Sequence, residues 1–223
     1  MRWLFTLFLC LLVSACFTTG KRGGDTAMAT YDFGPAVPRL LAESRKQALA
    51  VEVRAPLWFD SLGIDYRLMY LDAARLREYA TARWAGPPAQ MIQQRLMQQL
   101  DLARAGQGQA ACLLRVEITE FSQVFSSPES SKGVLQGRAV FLDRSRRQLA
   151  ELELNLEQPA SSQDAAGGVR AMTANVAQLA IDLRAWEQGL INAGKAAGCS
   201  GSSVIIRSAI RCFRLARSWS NCV

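Results

Sequence analysis

The chain has 223 residues, 50% of them hydrophobic, and carries 26 Lys and Arg against 19 Asp and Glu, a net charge of +7. It contains no histidine, which excludes Ser-His-Asp and Cys-His catalysis and removes the commonest metal ligand. Arg2, Lys21, Arg22, Arg207, Arg211, Arg214 and Arg217 put seven of the basic residues at the two ends, so the body between them is neutral and offers no broad basic face for nucleic acid.

The first element is a targeting segment. Arg2 is followed by an apolar stretch from Trp3 to Val13 and by the small residues Ser14 and Ala15, the layout of a secretory signal too short to span a bilayer as a stable helix. Cys16 stands at the cleavage point, and Val13-Ser14-Ala15-Cys16 resembles the bacterial lipobox, in which the cysteine is acylated and becomes the first mature residue. The expectation is a signal peptide over 1–15 and a lipid anchor at Cys16 in an envelope protein. Phe17 stands where the sorting rules for such lipoproteins place an inner-membrane Asp, which favours the outer membrane. Residues 16–29 are small, polar and Gly-rich, as suits a tether between lipid and domain.

A domain over 30–200 follows. Val51 and Val53 alternate with Glu52 and Arg54, and Tyr66, Leu68 and Tyr70 with Arg67 and Met69, predicting two strands around a turn at 55–65. Asp60 and Asp65 in that turn are the one imaginable carboxylate pair for hydrolysis, and solvated turn formers are the commoner use of such acids. Pro87-Pro88 fits a helix start, and Ile92, Leu96, Leu100 and Ala103 predict a helix over 88–104. Cys112, Leu114, Val116 and Ile118 alternate with polar or outward residues until the parity slips to Phe121, which predicts a bulge or bend. With the runs around 135–141 and 150–156 this reads as an antiparallel meander.

The longest signal is Val169, Met172, Val176, Leu179, Leu183, Trp186 and Leu190, an amphipathic helix whose stripe packs on the sheet or, alternatively, forms an oligomer seam. Gly189 to Ala196 nearly matches a phosphate-binding loop, but Ala196 lacks the hydroxyl for Mg²⁺ and the segment ends a helix where that motif joins a strand to one. The order of elements predicts an α+β fold: one compact domain, a mostly antiparallel sheet, and two helices on one face.

Of six cysteines, Cys10 leaves with the signal and Cys16 is the anchor. In an oxidising periplasm Cys112 and Cys199 are candidates for a disulfide, the alternative being a buried free thiol at Cys112. No CxxC pair supports a zinc or redox site, so no metal or cofactor is expected. Cys212 and Cys222 lie in the tail over 201–223, whose Ile205, Ala209, Phe213 and Ala216 oppose Arg207, Arg211 and Arg214. That pattern fits a basic amphipathic segment on anionic headgroups, or an extension without structure.

Tyr31-Asp32-Phe33-Gly34, Trp58-Phe59-Asp60, Ile64-Asp65-Tyr66-Arg67, Tyr79-Ala80, Arg83-Trp84-Ala85, Pro87-Pro88 and Phe121-Ser122-Gln123-Val124-Phe125, in this order and spacing behind a lipobox, are similar to the ABC-type transport auxiliary lipoprotein family. The resemblance covers about residues 13–199. It implies a non-enzymatic outer-membrane lipoprotein facing the periplasm, with an MCE-domain protein and an ABC transporter as partners in moving lipids or other hydrophobic molecules, and homo-oligomers. An outer-membrane assembly lipoprotein that binds a β-barrel is the alternative from another class.

Trp58, Phe59, Tyr66, Tyr70, Tyr79 and Trp84 form the densest aromatic set, available to a core or to an interface. Trp58, Arg83 and Trp84 are the expected partner-binding residues, the last two because a Pro-stiffened Arg-Trp pair has the composition of an interface hot spot.

Overall fold

The computed structural model describes residues 27–199 apart from 36, 46–47, 107–109 and 197. The expected signal peptide, Cys16, most of the tether and the tail over 201–223 lie outside the described residues.

Among the described residues the eight strands are β1 (Ala29–Tyr31), β2 (Leu49–Arg54), β3 (Gly63–Leu68), β4 (Asp72–Trp84), β5 (Ala103–Arg104), β6 (Cys112–Ser127), β7 (Ser130–Leu142) and β8 (Gln148–Pro159). Two helices are described, α1 (Pro88–Leu100) and α2 (Ala165–Asn192). β6 is the spine of one mixed sheet. β7 runs antiparallel along its full length and β8 antiparallel to β7, the expected meander. The opposite edge of β6 is shared by two strands placed end to end, β2 parallel to its first half and β3 parallel to its second. β4 lies antiparallel to β3, β1 parallel to the last residues of β4, and β5 parallel to β2. The fold is therefore the expected single α+β domain, with parallel pairings added on one side of the spine.

The parity slip after Ile118 is a register shift between Ile118 and Glu120, opposite Gly137. A Cβ at Gly137 would collide with the Glu117 carbonyl, so this bulge depends on a glycine across from it.

Both helices cover the same face of the sheet. The α2 stripe of Val169, Met172, Val176, Leu179, Leu183 and Leu190 is buried in one core with Ile92 and Leu96 of α1 and with Leu114, Val116, Ile118, Leu135, Ala139 and Phe141 of the sheet. The stripe is thus core, and Trp186 completes it by an edge contact with Phe141 at 6.0 Å. α2 approaches β7 closely because Gly133 leaves room beneath Ala171 and Met172, while Asn175 Nδ2 donates to the Gly133 carbonyl at 2.8 Å. Its N-terminus is capped by Asp164, whose Oδ1 accepts from the Gly167 N–H at 2.7 Å.

α1 stops four residues short of the expected 104. Asp101 adopts a left-handed conformation (φ 51°) that closes the helix, and Ala103 and Arg104 turn instead into β5 beside β2. The face of the sheet away from the helices carries alternating charges, among them Glu52 between Arg54 and Arg115, and Arg138 between Glu117 and Glu151. These exposed pairs each contribute at most about 1 kcal/mol, and their charges balance.

Candidate functional site

The turn between β2 and β3 presents the most exposed aromatic of the described chain. Pro56 fixes the chain direction, and its carbonyl accepts from the N–H groups of Phe59 and Asp60 at 2.9 and 3.1 Å, winding the segment into a single tight turn. Phe59 points inward and is buried. Asp60 Oδ1 accepts from the Ala89 N–H at 3.2 Å, serving the N-terminus of α1, where Pro87 offers no side-chain cap. At the far end, the Leu62 carbonyl accepts from the Trp84 N–H at 2.8 Å. With the turn held at these points, both of its apolar side chains before Phe59 are left at the surface: Leu57 is 89% exposed and Trp58 68%.

Arg83 lies beside this turn, opposite Gly63 in the β3–β4 register, and its exposed guanidinium reaches Thr30 Oγ1 at 3.4 Å. Trp84 is a correction to the expected interface. It is 1% exposed, stacked on Phe121 at 5.8 Å and edge-on to Phe33 at 5.6 Å. Successive strand residues point to opposite faces, so the residue next to an outward Arg83 must enter the core. The structure therefore leaves Leu57, Trp58 and Arg83 at the surface and removes Trp84. Leu57 was not singled out from the sequence; its signal is an adjacent apolar pair inside a Pro-initiated turn, which no strand or helix period can bury together.

Asp60 and Asp65 do not form a hydrolytic pair. Asp60 serves α1, and Asp65 lies in β3, 3% exposed rather than solvated in a turn. Burial, then the charges of Glu78 and Glu120, push its carboxyl up to about 7, against the opposing pull of Arg67. Arg67 is engaged by Glu120 through two bonds of 3.0 and 3.1 Å. Gly189 to Ala196 forms the end of α2, closed by Lys195 N–H to the Leu190 carbonyl at 2.9 Å, which is no phosphate-binding loop geometry. Among the described residues no cluster of Cys, Asp or Glu is arranged to hold a metal, and no helix is long and apolar enough to cross a membrane.

Tyr79, Gln123, Ser131 and Gln163 form a hydrogen-bonded chain under the N-terminal end of α2. The Tyr79 hydroxyl donates to Gln123 Oε1 at 2.7 Å, and Gln123 Nε2 donates to Ser131 Oγ at 2.8 Å. The Ser131 hydroxyl donates in turn to Gln163 Oε1. Burial holds the phenol above its ordinary range, so it acts as a donor rather than as an acid. At the other end of the sheet Cys112, at the start of β6, is joined to Cys199 by a disulfide with Cα atoms 5.5 Å apart.

A sequence model of the ABC-type transport auxiliary lipoprotein component matches residues 31–183, from the end of β1 into the second half of α2. The chain belongs to this family. Its match takes in the Leu57–Trp58 turn, Arg83 and the whole charged face of the sheet. No curated protein sequence matches. Among solved structures, protein XCC0632 of Xanthomonas campestris, described as a DUF330 protein, superposes with a TM-score of 0.63 at 19% identity, covering 76% of this chain and 99% of that one. An uncharacterized protein superposes with a TM-score of 0.56 at 15% identity, covering 70% of this chain and 96% of the other. At these identities the likeness is one of fold.

Proposed function

We propose that this auxiliary component is a non-catalytic lipoprotein on the periplasmic face of the outer membrane, held by acylated Cys16. In this reading it docks an MCE-domain protein, and through it an ABC transporter, in a system that moves lipids or other hydrophobic molecules across the envelope. The observation that carries this reading is the family match over 31–183, which spans nearly all of the described domain.

The surface supports a docking role. Leu57 and Trp58 stand on a turn fixed by Pro56, Phe59 and Asp60, so little side-chain or loop ordering opposes their burial against a partner. Arg83 is exposed as well, its guanidinium turned toward Thr30 of β1, and Trp and Arg are the residue types most enriched in binding hot spots. Asp60, one of the two acids imaginable as a hydrolytic pair, serves the N-terminus of α1 instead.

Capture of the full acylated chain from solubilised membranes, with identification of what comes with it, tests this. An MCE-domain protein together with ABC transporter subunits is the expected result. Capture of a β-barrel protein alone would replace the proposal with the assembly role.

A further inference from the structure

The β3–β4 hairpin ends on Met69, Tyr70 and Leu71, three consecutive apolar side chains that all lie at the surface, Leu71 at 65% exposure. A hairpin tip is ordinarily built from polar turn residues, so an uncovered apolar tip marks a surface meant to be covered. It is also firmly held. The Leu71 N–H donates to the Leu68 carbonyl at 3.1 Å, and the Met69 N–H donates to the Phe125 carbonyl at 2.9 Å, locking the tip to the end of β6.

The path of the chain says what covers it. β1 runs parallel to β4, with Ala29 opposite Ala82 and Tyr31 opposite Trp84. The chain before Ala29 therefore arrives from the side on which β4 begins, which is the side of the tip. From Ala82 back to Leu71 the hairpin arm measures roughly 35 Å at strand rise. The thirteen residues from Cys16 to Met28, twelve steps of the chain, reach at most about 40 Å. An anchor at Cys16 can thus lie level with Met69, Tyr70 and Leu71.

We propose that this tip is a membrane-contact point, seated among the headgroups of the phospholipid bilayer that holds Cys16. The inference rests on the lipoprotein reading above. Leu71 and Met69 supply the apolar contact, and Tyr70 is the amphipathic ring that favours the headgroup level. The tip itself carries no Lys or Arg, so zwitterionic lipid suffices and salt does not weaken the contact. The Leu57–Trp58 turn leads into β3 and the hairpin tip leaves it, so the two apolar features sit at opposite ends of that strand. One end meets the lipid and the other is left for a partner.

The test uses the full mature acylated chain in phosphatidylcholine vesicles, with Cys212→Ser and Cys222→Ser and a nitroxide label on Leu71→Cys or, separately, on Leu57→Cys. Collision of each label with a water-soluble nickel chelate is compared before and after reconstitution. The inference expects a several-fold loss of nickel access at residue 71, unchanged at high salt, and no loss at residue 57. An acylated, vesicle-bound protein whose residue 71 stays as accessible as residue 57 contradicts this inference alone. A chain that matures without acyl groups contradicts the lipoprotein reading and this one with it.

Discussion

Arg45 and Glu187, 142 residues apart, form a two-pronged ion pair buried between the segment before β2 and the second half of α2. The second of its bonds, from Nη2 to Oε2, measures 2.8 Å. Arg45 also donates through Nε to the Leu100 carbonyl at 2.8 Å and through its backbone N–H to Asp101 at 3.0 Å, so one residue joins the end of α1 to α2.

Arg45→Ala leaves the Glu187 carboxylate buried with only Arg184, at 3.2 Å, to answer it. Removing one partner of a buried pair typically costs about 3–5 kcal/mol, and the remaining Arg184 places the expected loss near the lower end. Replacing both, Arg45→Met with Glu187→Leu, should recover most of it. Urea unfolding of the two variants beside the unaltered chain checks the order.

Asp65 makes stability depend on pH. Its folded-state carboxyl lies near 7 against an ordinary value of 3.8, so the folded chain holds a proton that the unfolded chain has released between those limits. Stability is therefore highest below pH 4 as far as this group is concerned, falls as pH rises toward 7, and is flat above it. Asp65→Asn should abolish that slope and stabilise the domain at pH 8 by up to about 4 kcal/mol, with no gain at pH 4. Denaturant unfolding at the two pH values measures it.

The disulfide closes a sequence separation of 87 residues. Cys112→Ser with Cys199→Ser should cost about 2–4 kcal/mol, mostly through a less restricted unfolded chain. Mass spectrometry of unreduced, alkylated protein verifies the bond first; free thiols at both positions would remove the basis for the expected loss.

Trp58 and Trp84 show what the sequence made legible and what it did not. The 3.6-residue stripe of α2 and the alternation in β6, β7 and β8 stated both the element and its buried face, because each has one side in the core. β4 escaped, since most of its arm is exposed and only Ala82 and Trp84 near its end are buried, leaving too short an alternation to detect. The parallel pairing of β2 and β3 with β6 also left no trace, as it is made by backbone groups that side-chain patterns do not report. Trp58 and Trp84 are the same residue type with opposite fates, decided by a tight turn for one and strand parity for the other.

That difference predicts a clean separation. Trp84→Ala should lower stability by about 3–5 kcal/mol through the cavity left beside Phe33 and Phe121. Trp58→Ala should change stability by less than about 0.5 kcal/mol, as exposed substitutions usually do. Thermal unfolding of the two variants side by side resolves the effects.

The most direct test of the proposed docking role places a photo-crosslinking side chain at Leu57 in the full acylated protein, in its own membranes, with Glu153 on the charged face of the sheet as the control position. The account predicts a crosslink from residue 57 to an MCE-domain protein, absent from residue 153 and lost when Trp58→Ala and Arg83→Ala are combined. Crosslinking to that partner from residue 153 and not from residue 57 would contradict it.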